Sequence, residues 1–64
     1  MKHFNFEEKL AAVKREIGWR RHVYPKRIAL QKMSPMKAAD EIAIMESIAA
    51  DYEKAITTQQ PGLF

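Results

Sequence analysis

The chain contains no cysteine. This excludes disulfides, thiolate metal sites and a cysteine nucleophile, and it fits a reducing cytoplasm. Glycine occurs only twice, at Gly18 and Gly62, so no glycine-rich loop is present to cradle a phosphate. No apolar run approaches the roughly 18–20 residues that cross a bilayer. The opening MKHFNFEEKL lacks the continuous apolar core of a signal peptide. A cytoplasmic protein with no membrane partner is expected. Serine is also scarce: Ser34 and Ser47 stand at a cap position and in mid-helix, with no histidine spaced beside them as a base.

At 64 residues the chain is one domain at most. A chain this short buries only about 60% of its unfolded surface. Such scaffolds usually lean on a disulfide, a metal or a partner chain. Without cysteine a disulfide and a thiolate metal site are both excluded, so association is the expected support. The hydrophobic content of 47% and charged content of 30% are those of a folded protein.

The net charge of +3 is unevenly divided. Residues 1–33 carry nine Lys/Arg against three Glu, or +6; residues 34–64 carry two Lys against five acids, or −3. One reading is that a basic helix and an acidic helix pair with each other. The other is that the basic half meets an anion.

Helix signals dominate. Asn5 is a good N-cap, and Glu8 stands where a capping box needs it. Phe6, Leu10, Val13 and Ile17 follow as one apolar stripe. Glu16 and Arg20 form a favourable i,i+4 pair. The spacing predicts a helix over about 6–23, ended by Pro25, which lacks an amide hydrogen and clashes with the carbonyl four residues back. Proline also starts helices well. A second short segment over 25–33, at an angle to the first, is therefore expected, with one kinked helix through residue 33 as the alternative. Gly18 adds no side chain and would suit a close helix approach.

Ser34-Pro35 reads as a cap followed by the first helical position. Ala38, Ile42, Met45, Ala49, Tyr52 and Ile56 then alternate spacings of four and three, predicting a helix over 35–57. Ile44 and Ile48 widen that stripe. Residues 59–64 read as a tail, in which Leu63 and Phe64 would fold back or touch another chain. The expected fold is all-α: a single helical-hairpin domain over 1–58 with a Pro-bent connection. Two helices cannot bury wide stripes on both members, and Trp19 and Phe4 have few places to go within one chain. A homo-oligomer is expected, most simply a dimeric four-helix bundle.

The stretch KREIGWRRHVYPKRIALQKMSPMKAADEIAIMESIAADY, residues 14–52, resembles a group of short proteins encoded by bacteriophages and prophages. The shared pattern is Arg15-Glu16-Ile17, Arg20/Arg21 and Val23-Tyr24-Pro25-Lys26, then Lys32-Met33-Ser34, Ala39, Glu41-Ile42, Met45-Glu46, Ile48 and Asp51-Tyr52. The group often has a glycine just before the basic-Met pair, where this chain has Gln31. The resemblance implies a helical hairpin and the cytoplasm of an infected or lysogenic bacterial host. It brings no assigned activity.

No catalytic set is legible, and the expectation is that the chain is not an enzyme. His3 and Glu7 have i,i+4 spacing, but a zinc site needs three or four ligands, so neither metal nor cofactor is expected. The remaining candidate is the basic-aromatic cluster: Trp19, Arg20, Arg21, Tyr24, Lys26 and Arg27, with His22 and Lys32 nearby. Guanidinium forks suit phosphate oxygens, and aromatic faces stack on bases. A proline bend would gather these cations into one corner. The plainer reading has Tyr24 and Trp19 covering the end of the core and Arg20 tied to Glu16. Three functions follow: a small accessory, counter-defence protein that captures a phosphate-bearing nucleotide; a protein-binding inhibitor or adaptor of a host or viral machine; and, third, a nucleic-acid binder. The pI near 9.5 permits the last, but the acidic second helix would repel a phosphate backbone.

Overall fold

The computed structural model describes residues 2–59 as two helices, α1 (Phe6–Ala29) and α2 (Pro35–Gln59), packed as an α-helical hairpin. No strand occurs among the described residues. Each helix is about 36–37 Å long at 1.5 Å per residue.

Both helix starts follow from local chemistry. The Asn5 side chain accepts from the Glu8 amide at 2.8 Å, and the Glu8 carboxylate accepts from the Asn5 amide at 3.0 Å. Two amides that no turn of helix could satisfy are thereby paired. Glu7 and Glu8 also face the positive end of the helix dipole. At α2 the Ser34 hydroxyl accepts from the Lys37 amide at 3.0 Å, and Pro35 occupies the first helical position, where its missing donor costs nothing.

Pro25 does not end α1. The expected break into segments 6–23 and 25–33 is replaced by one helix that runs through the proline to Ala29. Only the Arg21 carbonyl loses its donor. Two features oppose that loss. Tyr24, the residue proline should push out of the helical region, is 6% exposed and belongs to the core. The far end is held by a closing motif: the Gln31 amide donates to the Ile28 carbonyl and the Lys32 amide to the Arg27 carbonyl, both at 2.9 Å. That is the Schellman pattern, with Gln31 in the left-handed region at φ 59°. Glycine normally takes this position, because a Cβ there is crowded by backbone.

The stripes of both helices meet as expected. Phe6, Leu10, Val13 and Ile17 are half-buried, as are Ile42, Met45, Tyr52 and Ile56, while Ala38 and Ala49 are buried. The Phe6 and Tyr52 rings pack with centroids 6.0 Å apart, near the open ends of the hairpin. The α1 stripe is longer than the apolar residues alone imply, since Arg20 and Tyr24 continue it at spacings of three and four. Tyr24, Ala38 and Ala49 complete the buried set, and no large side chain is fully buried. Gly18 marks no close approach: a Cβ there would meet nothing within 4 Å. Helix α2 extends to Gln59; Leu63 and Phe64 lie outside the described residues.

Candidate functional site

The cations of the cluster divide by the company they keep. Arg20 is a clasp between the helices. Its Nε donates to Glu16 Oε2 at 2.8 Å, and its Nη1 donates to the Glu41 carbonyl of α2 at 2.8 Å, with Glu41 Oε1 at 3.8 Å. Lys37 reaches the other Glu41 oxygen at 3.2 Å. The Arg20 side chain is 19% exposed. The hydrogen bond that Arg20 donates to Glu16, opposed by burial and aided by nearby Tyr24 and Glu41, raises the Arg20 pKa above its ordinary value. Its charge is therefore part of the packing.

Arg21, one residue on, points to the other flank of the hairpin and pairs with Glu46 of α2. Its side chain is 60% exposed, so water screens this pair more than the Arg20 clasp. Of the two readings of the charge split, helix-to-helix pairing thus has two instances.

Arg27 is held differently. Its guanidinium lies 5.4 Å from the Trp19 ring centroid and 5.9 Å from that of Tyr24. Arg20 lies 6.0 Å from the same Tyr24 ring. These are cation–π distances. Among the described residues no carboxylate pairs with Arg27, Lys26 or Lys32. Lys26 Nζ instead sits 3.2 Å from His22 Nε2, one turn back.

Of the six residues singled out in the sequence, the structure brings Trp19, Tyr24 and Arg27 together and attaches Arg20 to them through the Tyr24 ring. It sends Arg21 to the opposite flank. A corner between two angled segments does not form, because α1 is continuous and distributes its cations around one cylinder. Tyr24 is buried, so it serves as a platform for two arginines rather than a face open to a ligand. The Glu41 and Glu46 partners of the arginines were not legible residue by residue, since pairing across a hairpin depends on helix register. The charge split was the available signal.

A surface groove lies elsewhere, along the first half of α1. It is a shallow space of about 510 Å³ between Phe4, Glu8, Ala11, Ala12 and Arg15, with mostly apolar walls. No group of three or more His, Cys, Asp or Glu that could hold a metal occurs among the described residues. Among the described residues no helix is long and apolar enough to cross a membrane. Comparison with protein-family models, curated proteins and solved structures returned no match to this chain.

Proposed function

We propose that this chain is a small non-enzymatic accessory protein that captures a phosphate-bearing nucleotide ligand at the hairpin's closed end. The residues that would hold it are Arg27, Lys26 and Lys32, beside Trp19 and His22. One observation carries this reading. Arg27 is oriented by two aromatic rings yet has no carboxylate partner among the described residues. Stacking covers the face of a guanidinium and leaves its in-plane N–H fork free for two phosphate oxygens. Arg20 and Arg21, by contrast, have spent their charge within the fold, so their part is to shape the site. Counter-defence is the role such capture would serve in the bacterial host that the likeness of residues 14–52 to short phage-encoded proteins implies.

Calorimetric titration with a panel of nucleotides and cyclic dinucleotides tests it. Wild-type protein should bind one class, and Arg27→Gln should weaken that binding at least ~10-fold, or about 1.4 kcal/mol, with the melting temperature unchanged. Binding should also weaken as salt is raised, since the cations are exposed. No heat and no thermal shift across the panel would remove this function.

A second reading has its own observation. Leu30 and Met36, on either side of the connection between the helices, are large apolar residues left in solvent. They favour capture of a protein partner, as an inhibitor or adaptor. A stoichiometric partner retained from host lysate by wild type and lost by Leu30→Glu would support that reading over the nucleotide one.

A further inference from the structure

We infer that a second copy of this chain packs on the flank formed by Trp19 and Val23 of α1 with Ile44 and Ile48 of α2, giving a two-fold four-helix bundle. The inference is independent of the ligand.

The flank is identified by the Arg20 clasp. Arg20 holds Glu16 on one helix and Glu41 on the other, so these two residues mark the same side of the hairpin. Trp19 and Val23 follow Glu16 at three and seven residues; Ile44 and Ile48 follow Glu41 at the same spacings. Residues so spaced share a helix face. Each helix therefore carries a second apolar stripe, and the two stripes lie on one side. Trp19 is 49% exposed and Ile44 53% exposed, while Val23 and Ile48 are half-buried. The opposite side, marked by the Arg21–Glu46 pair, carries Ala39, Ala43, Ala50 and Glu53 beside Glu46 on α2, none of them a large apolar residue.

Three features make a second copy the occupant. The hairpin on its own fully buries no large side chain, and a 64-residue chain without cysteine has few other sources of support. The rim of this flank carries both signs, Lys37 and Arg27 with Glu16 and Glu41. A patch that meets its own image across a two-fold axis must be self-complementary, and a rim of mixed sign can be so where a rim of one sign would repel. Lastly, two helices about 37 Å long and about 10 Å wide present a face of roughly 740 Å², close to the ~800 Å² per partner of a stable interface. Arg27, stacked over one side of Trp19, stays at the edge of this contact.

Sedimentation velocity and Trp19 fluorescence, each across ~1–100 μM protein, test the inference. Trp19 is the only tryptophan. The mass should double with concentration, and Trp19 emission should shift to the blue over the same range as its ring leaves water. Ile44→Glu should raise the dimer dissociation constant at least ~10-fold while keeping its helical circular dichroism, because Ile44 contributes little to the intramolecular core. The inference is overturned by a wild-type monomer at ~100 μM, by doubling of mass without any change in Trp19 emission, or by an Ile44→Glu variant that dimerises as well as wild type. The first two readouts need no variant and stand even if Ile44→Glu were to misfold.

Discussion

Arg20 and Arg27 are two turns apart on one helix and both lie over the Tyr24 ring, yet they do different work. Arg20 pairs with Glu16 on its own helix and reaches across the hairpin to the Glu41 carbonyl and carboxylate, so its charge holds α1 to α2. Arg27 lies against two aromatic rings and pairs with no carboxylate among the described residues. A count of basic residues therefore says little about ligands. What matters is which cations already have partners, and that depends on the register between helices. The paired arginines lie where α2 supplies Glu41 and Glu46; Arg27 lies toward the closed end, beyond them.

The most severe way to break this contrast is to remove the ring that both arginines share. Tyr24→Ala should cost about 3–5 kcal/mol, as for large aromatic side chains deleted from a core. In a chain this small each kcal/mol moves the melting temperature by roughly 4–8 °C, so the variant should be largely unfolded at room temperature by circular dichroism. Tyr24→Phe, which keeps the ring, should stay folded. Arg20→Ala comes next. It removes a part-buried hydrogen bond to the Glu41 carbonyl and a charge-assisted bond to Glu16, and should cost about 1–3 kcal/mol in urea titration. Arg27→Gln in the same titration should cost nothing measurable, and equal losses at the two positions would erase the distinction.

The tip can be sharpened without touching the clasp. Gln31→Gly should stabilise the protein by about 1 kcal/mol, because the left-handed backbone at φ 59° no longer crowds a Cβ. A matched melt at fixed protein concentration checks this. If the variant is less stable, the Schellman closure is not what ends α1. The smallest effect is expected at Arg21. Arg21→Ala should cost under ~1 kcal/mol and the cost should shrink with added salt, since its pair with Glu46 is exposed.

Local signals were legible wherever a few neighbouring residues decide the outcome. The Asn5–Glu8 box, the Ser34-Pro35 start, the Glu16–Arg20 pair and the two apolar stripes all appear in the structure as read. Pro25 misled because its local preference is real but is overridden by Tyr24 burial on one side and the closure at Gln31 on the other. Gln31 gave no such signal: only the backbone angle, φ 59°, shows that it stands where glycine fits most easily. Within the candidate site, residue types were readable and their allegiances were not. Glu16, four residues back, marks Arg20 locally, but the contact with Glu41 that makes it a clasp lies twenty-one residues away on α2.

The sequence by itself determined two amphipathic helices, the caps at Asn5 and Ser34 that start them, and the opposite charge of the two halves. Each rests on hydrogen bonds and spacings within one or two turns of chain. Tertiary structure alone decided that α1 would run through its proline, that Tyr24 would be interior, and that Arg20 and Arg21 would be engaged while Arg27 was not. Those outcomes depend on how one helix slides and rotates against the other, a choice set by the summed packing of the whole interface.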